Sequence, residues 1–259
     1  MQVGISFVIL LCAGGLAACT HGESGLKVVN IRTDFAKTNY GYVNSGGYRA
    51  GSLFSWDKAA SRLVFRDNVP GFETDISSIP PTDSRITYQS GMTADASISL
   101  AVKARIDTVL KSDATIAIKD ARRLTVSGVI TRITNYMKTN GDLFEEWNFR
   151  ESASNSDRYF LIVRDVTYGD SLDVEVNNEK SAGAGFPIKI GDASFQVKFT
   201  GKGLGNLSGN DIPITMNVYV LKAKFIENAE GGQNPTFGVV NDIDLKDLPE
   251  LFRSVGSTS

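Results

Sequence analysis

Apolar residues recur at every second position through several stretches of this chain, and this period favours β-structure. In the longest stretch, from Ala94 to Ile106, every even position is apolar and all odd positions but one are polar. Similar alternation covers residues 172–176, 195–199 and 212–220. A strand points successive side chains to opposite faces, so each segment would bury one face. We therefore predict a mainly antiparallel sheet.

Two hairpins follow from the same pattern. Residues 94–106 are predicted to form a long strand that returns through residues 114–118, and residues 53–66 are predicted to form a hairpin with a five-residue turn. A helix is the weaker interpretation of the first segment, although Leu100 and Ala104 also lie four positions apart.

Helix spacing is clearest at residues 129–137, where apolar side chains recur at three- and four-residue intervals. Ser127 is a predicted N-cap, and Asn140 with the following glycine is a predicted left-handed stop. A short C-terminal helix is predicted over residues 247–255. The predicted fold class is therefore α+β, mainly antiparallel sheet with one or two packed helices.

The predicted domain organisation is a removable segment at residues 1–18, a polar linker at residues 19–25 and a single α+β domain at residues 26–259. The proline-containing stretch at residues 69–82 is a candidate sub-boundary. A chain of this length can bury roughly 70–75% of its unfolded surface, so it needs no disulfide or metal for stability.

The first eighteen residues contain no Lys, Arg, Asp or Glu, and an apolar run ends in the sequence L-A-A-C. A bilayer-spanning helix needs about 20 apolar residues, and this run is shorter. A short apolar core followed by small residues is typical of a secretory signal peptide. One feature departs from that layout, because residues 1–4 carry no Lys or Arg.

Leu16, Ala17, Ala18 and Cys19 together resemble the bacterial lipobox, the recognition site of the lipoprotein signal peptidase. The resemblance implies that Leu16 fills the specificity position and that Ala17 and Ala18 are the small residues at the cut. It also implies that Cys19 carries S-diacylglycerol and an N-acyl chain. Thr20 favours the outer membrane, because Asp at that position marks inner-membrane retention in enterobacteria-like systems. The alternatives are an ordinary cleaved signal peptide and an N-terminal core helix of a cytosolic protein.

The counts of reactive side chains limit the chemistry of the predicted domain. The cysteines are Cys12 and Cys19, and the single histidine is His21 in the linker. Cysteine nucleophiles, Ser-His-Asp catalysis and His-ligated zinc are therefore not expected in the domain, and no catalytic residue, metal or cofactor is predicted. A net charge of −2 argues against nucleic acid as a partner.

An acidic cluster is the most chemically suggestive group in the domain. Asp165, Asp170, Asp173 and Glu175 flank a predicted turn at Gly169. Two carboxylates about 5–9 Å apart can perform glycosidic acid/base catalysis. The alternative is a solvated strand face, because two of these residues alternate with apolar neighbours.

Three further groups have competing interpretations. The glycine-rich residues 201–205 are predicted to form a hairpin loop rather than an anion site, since a strand rather than a helix follows them. Asp242, Asp244 and Asp247 could ligate calcium, but the spacing lacks the glycine and terminal glutamate of a calcium loop. Asp247 is more simply a helix cap.

Aromatic residues concentrate near the start of the domain. They could form a partner-binding surface, since Tyr and Trp favour interfaces, but packing in the core beneath the hairpin is the favoured interpretation. The residues are Tyr40, Tyr42, Tyr48, Phe54 and Trp56.

The leading functional hypothesis is a non-enzymatic binding or assembly module of the bacterial cell envelope. Its expected partners are membrane lipid, through the Cys19 anchor, and another envelope protein, with the domain facing the periplasm. One alternative is a carboxylate-based glycan hydrolase. The other is a pore-forming or oligomeric membrane component that inserts the hairpin of residues 94–118.

Overall fold

A computed structural model describes residues 27–72, 76–94, 98–176, 179–180, 186–190, 193–200, 211–227, 229 and 231–256. The predictions for the signal peptide, the Cys19 anchor, the linker and the glycine-rich loop lie outside the described residues. In the described part of the chain about 49% of the residues are in strands, the sheets are mostly antiparallel and five helices accompany them, so the predicted α+β class is confirmed.

The strands of the described part are numbered in chain order. They are β1 (Lys27–Arg32), β2 (Lys37–Thr38), β3 (Gly41–Val43), β4 (Ser52–Asp57), β5 (Arg62–Asn68), β6 (Thr82–Ser90), β7 (Thr93–Ala94), β8 (Ala114–Thr125), β9 (Arg158–Gly169), β10 (Ser171–Val176), β11 (Glu179–Lys180), β12 (Phe186–Ile190), β13 (Ala193–Thr200), β14 (Ile212–Glu227) and β15 (Gln233–Val239).

The helices are numbered in the same way, and a 3₁₀ turn at Ile76–Ser78 is added to them. They are α1 (Leu100–Asp113), α2 (Val129–Thr139), α3 (Leu143–Glu146), α4 (Phe149–Ser154) and α5 (Leu248–Gly256). Within the described residues, no helix combines the length and the apolar character needed to cross a bilayer.

The strands form two sheets. The smaller has the order β12-β13-β1-β7, with β1 and β13 parallel. The larger follows the order β11-β10-β8-β6-β2-β3-β14-β9-β4-β5, and β15 pairs with β14. Strand β8 pairs with β6 through its first part and with β9 through residues 122–125. Strands β6 and β9 are therefore connected in two ways, through β8 and through β2, β3 and β14. Asp120, at φ +51°, lies at the register shift in the pairing with β6, between Ile118 opposite Ser84 and Ala121 opposite Thr82.

The predicted hairpin of residues 53–66 is confirmed. Strand β4 ends at Asp57 and β5 begins at Arg62, with Leu63 opposite Trp56. The Asp57 carboxylate accepts a hydrogen bond from the Ala60 N–H at 2.9 Å, which fixes the turn between the strands. This hairpin forms one wall of the site described below.

The predicted strand of residues 94–106 is wrong for most of its length, because α1 covers Leu100–Asp113. The helix begins at Ser99, whose Oγ accepts a hydrogen bond from the Val102 N–H. Only Ile106 and Leu110, four positions apart, are buried, and Leu100 is 83% exposed. The predicted returning strand is present as the start of β8. The membrane-inserting hairpin, on which the pore-forming hypothesis depended, is therefore not formed.

Helix α2 is confirmed, but both of its predicted caps differ. Gly128, at φ +65°, takes the N-cap position that was predicted for Ser127. Asn140 ends the helix at φ −117°, which is not left-handed, and its N–H bonds to the Tyr136 carbonyl. Asp247 directly precedes α5, and its backbone carbonyl accepts from the Leu251 N–H at 3.2 Å.

Two hydrophobic cores stabilise the fold. The larger packs helices against the β4–β9–β14 part of the sheet, and its largest fully buried side chains include Phe54, Trp147, Phe160 and Phe252. The other packs α1 against the smaller sheet and the start of β8. Both cores contain residues from before and after residues 69–82. The boundary between two parts of the domain at residues 69–82 stays a prediction.

Candidate ligand-binding cleft

A cleft of about 880 Å³ opens on the surface of the described residues. Four segments line it: residues 32–35 after β1, residues 45–52 before β4, residues 62–68 of β5, and residues 253–255 of α5. Pockets for small organic ligands span roughly 300–1,000 Å³, so the cleft has the volume of a ligand site.

Arg253 fixes the α5 wall of the cleft. Its guanidinium donates to the Asp34 carbonyl at 2.6 Å and to the Gly91 carbonyl, and it pairs with Glu250 at 2.5 Å. Burial lowers the pKa of Arg253, while the neighbouring carboxylates of Glu250 and Asp34 oppose that shift. These bonds hold the C-terminal helix against segments that lie far away in the sequence.

Asn44 shapes the loop that forms the second wall. Its side chain donates to the Tyr48 carbonyl at 2.5 Å and accepts from the Tyr48 N–H at 2.9 Å, so both ends of one amide close the turn. Gly47, at φ +66°, occupies the left-handed conformation within this turn. At the end of the loop, the Ser52 Oγ donates to the Asn68 side chain at 2.8 Å, which joins the loop to β5.

Aromatic rings line the apolar part of the cleft. Tyr48 stacks on Phe65 with ring centroids 6.2 Å apart, and it lies at the same distance from Phe35. Below them, Phe54 meets Tyr48 edge-on at 4.9 Å. Phe65 is 38% exposed, so part of a flat apolar surface is open to a ligand. Burial raises the pKa of Tyr48, which keeps its phenol neutral at physiological pH.

The charged side chains of the cleft are mainly cationic. Arg32, Arg49, Arg62 and Arg253 line it, and Asp34 is the one carboxylate among the lining residues. Asp34 pairs with Arg32 at 3.0 Å, so it neutralises only part of this charge. A cleft with walls of one sign raises the local concentration of oppositely charged ligands, here anions.

The predicted aromatic surface is divided between core and cleft. Tyr42, Phe54 and Trp56 are buried, as the core interpretation predicted. Tyr48 lines the cleft, and Tyr40 is exposed beneath the Arg123 guanidinium, 4.6 Å from its ring centroid.

The acidic cluster is spread along the sheet. Asp165 pairs with Thr125 of β8, whereas Asp173 and Glu175 pair with Ala117 and Thr115. Positions 117 and 125 are eight residues apart, or roughly 26 Å along an extended strand. This exceeds the separation that glycosidic catalysis requires between Asp165 and either of the other two.

Local partners occupy several of these carboxylates. Asp165 is buried and accepts a hydrogen bond from the Asn217 amide at 3.4 Å. Asp170 accepts from the Asp211 N–H at 3.5 Å, and Glu175 pairs with Arg85 at 3.2 Å. Asp165, Asp170 and Glu175 thus have local partners, while Asp173 and Glu175 lie two positions apart on β10.

The C-terminal aspartates likewise do not converge on a cation. Asp244 pairs with Lys246 at 3.3 Å, and the hydrogen bond from the Lys246 N–H lowers the pKa of the Asp244 carboxyl. Among the described residues, no group of three or more His, Cys, Asp or Glu side chains is arranged to hold a metal ion.

Comparisons with known proteins do not assign a family. No protein-family model, no curated protein and no solved structure matches this chain. The cleft is therefore interpreted from its own chemistry.

Proposed function

We propose that this protein is a lipid-anchored binding protein of the bacterial envelope whose cleft takes an anionic ligand with an aromatic or apolar portion. The observation that supports this proposal is the composition of the cleft, in which the exposed Arg32, Arg49 and Arg62 lie beside partly exposed aromatic surface. The binding needs no catalytic group, in keeping with a non-enzymatic module.

The two parts of the lining would recognise two parts of one ligand. Arginine binds carboxylate and phosphate groups through paired N–H donors, and these charge-assisted bonds are stronger than neutral ones. Arg62 is exposed at the edge of the cleft, where it can reach such a group. The rings of Tyr48 and Phe65 would cover the apolar part of the ligand by stacking.

The proposed anchor would keep the cleft near the membrane. Lys27, at the start of β1, is eight positions after Cys19, a distance of at most about 29 Å along an extended chain. A single myristoyl chain binds a bilayer with a constant on the order of 10⁴ M⁻¹, so two or three chains on Cys19 would be effectively permanent. We propose the outer membrane, facing the periplasm, as the location.

Binding can be tested with naphthyl phosphate, which joins an anionic group to an aromatic ring. Calorimetric titration of the full chain in neutral detergent micelles, with empty micelles as the blank, should show saturable binding. Naphthol, the neutral analogue, should bind more weakly. We expect Arg62→Ala to weaken naphthyl phosphate binding about tenfold, because it removes a charge-assisted hydrogen bond.

The matched control is Arg105→Ala, since Arg105 is also exposed but lies on α1, outside the cleft. This variant should bind like the unmodified protein, and Phe65→Ala should weaken both ligands. Equal affinity of Arg62→Ala and Arg105→Ala would contradict the proposal.

The anchor has a separate test. Mass spectrometry of the protein from the membrane fraction should find a lipidated Cys19 at the N-terminus, and Cys19→Ser should release the protein from membranes. Cys12→Ser serves as the control and should leave lipidation intact. An unmodified Cys19 would contradict the anchor without bearing on ligand binding.

A further inference from the structure

A second, much smaller cavity lies beside the β4–β5 hairpin. It measures about 20 Å³, and the residues lining it include Trp56, Arg66, Trp147 and Arg158. A water molecule needs roughly 10–15 Å³ of cavity volume, so the cavity has room for one species of about that size.

Three of the residues that line this cavity carry unpartnered hydrogen-bond donors. Trp147 is 0% and Trp56 is 3% exposed, and the buried indole N–H of each has no acceptor among the described residues. The buried Nε of Arg158 also lacks a hydrogen bond, because the Asp57 carboxylate lies 3.7 Å away. Buried polar groups in folded proteins nearly always have a partner, so these donors call for an acceptor.

The charges around the cavity also favour an anion. Arg62, Arg66 and Arg158 line it, and Asp57 is the one carboxylate in the lining. Arg158 forms an ion pair with Glu151 at 2.8 Å, and the Arg66 Nε donates to the Ser55 Oγ at 2.8 Å. Burial lowers the pKa of Arg66, and the nearby Arg62 and Arg158 charges lower it further, although Glu146 opposes them.

We propose that this cavity binds a single chloride ion, which accepts from the two indole N–H groups and the Arg158 guanidinium. Indole and guanidinium groups donate hydrogen bonds but do not accept them. A water molecule accepts at most two hydrogen bonds, whereas the residues lining the cavity carry three unpartnered donors. A monatomic anion satisfies donors alone and offsets the surrounding positive charge.

The composition of the chain makes this proposal directly measurable. The protein contains two tryptophans, Trp56 and Trp147, and both line the cavity. An indole ¹⁵N–¹H spectrum of the tryptophan-labelled full chain therefore contains two signals, and both report on this site. The measurement compares sodium chloride with sodium gluconate at constant ionic strength, since gluconate is too large for the cavity.

Chloride should shift both indole signals along saturation curves with one common dissociation constant, and gluconate should not. We expect Arg158→Gln to weaken chloride binding about tenfold, because it removes a charged donor. The matched control is Arg85→Gln, which breaks the ion pair to Glu175 on another part of the sheet.

Three results would overturn the chloride site. They are shifts that stay linear in chloride, shifts that gluconate reproduces, and equal chloride affinity in the Arg158 and Arg85 variants. If Arg158→Gln fails to fold, the comparison of chloride with gluconate on the unmodified protein still decides. Arg62 lines both this cavity and the larger cleft, whereas Arg158 lines the cavity alone, so the Arg158 variant separates failure of the chloride site from failure of the cleft.

Discussion

Phe252 joins the C-terminal helix to the larger core, and its truncation should have a large effect. The side chain is 0% exposed. Its ring centroid lies 5.4 Å from Phe35 and from Phe54, 5.8 Å from Tyr42 and 6.3 Å from Tyr48. Phe252→Ala therefore removes a ring that contacts both the core and the rings lining the cleft.

The expected loss of stability is about 4 kcal/mol, since core Phe→Ala substitutions cost about 3–5 kcal/mol. The ring lies among four others, and each aromatic pair contributes about 0.5–1.5 kcal/mol beyond its buried area, which favours the upper half of that range. Typical domains are stable by about 5–15 kcal/mol, so the variant should fold with a much reduced margin.

Guanidinium chloride unfolding followed by circular dichroism measures this loss as a shift in midpoint at constant slope. Glu250→Ala is the control on the same helix, because the Glu250 side chain is 67% exposed and its less exposed partner Arg253 keeps its bonds to the Asp34 and Gly91 carbonyls. Exposed ion pairs contribute about 0–1 kcal/mol. A loss for Phe252→Ala no larger than that for Glu250→Ala would refute the role of Phe252 in holding α5.

Two further predictions concern the close contact of Gly41 with the backbone of β14 and the loss of stability at alkaline pH. Gly41→Ala should cost about 2–5 kcal/mol in chemical unfolding, because a Cβ would lie 2.1 Å from the Met216 carbonyl oxygen at φ +109°, whereas Gly231→Ala, at φ +77° with open space, should cost about 1–2 kcal/mol. Burial raises the pKa of Tyr42 and Tyr88 above their ordinary value of 10.0, so the folded state holds these protons more tightly. Stability should be complete below pH 10 and fall as the pH rises further, and urea midpoints that stay constant above pH 10 would contradict this.

Local patterns predicted much of the sheet. Apolar alternation identified β13 and β14, and the turn at Asp57 identified the β4–β5 hairpin, because each pattern depends on neighbours in the sequence. Alternation failed at α1, where Ala, Leu, Lys and Arg are strong helix formers and Ser99 supplies a cap. The helix buries Ile106 and Leu110, which lie four positions apart. The apolar residues of this segment therefore fit a helical period as well as the two-residue period of a strand.

The cleft could not be predicted from the sequence, because its lining comes from four separated segments. Arg32 and Arg253 lie more than two hundred positions apart, and nothing local indicates that the C-terminal helix docks at the end of β1. Of its aromatic residues, Tyr48 was singled out from composition, but Phe65 was not. For the acidic residues the opposite holds, because Asp165 is close to Asp173 and Glu175 in the sequence but lies far from them along the sheet.

Hydrogen–deuterium exchange of the full chain with naphthyl phosphate tests the central claim most directly, because it locates the ligand. The proposal predicts slower exchange at residues 32–35, 45–52, 62–68 and 253–255, with α1 unchanged. Protection confined to the apolar groove between α1 and β7, or no protection at saturating ligand, would contradict the assignment of the cleft as the binding site.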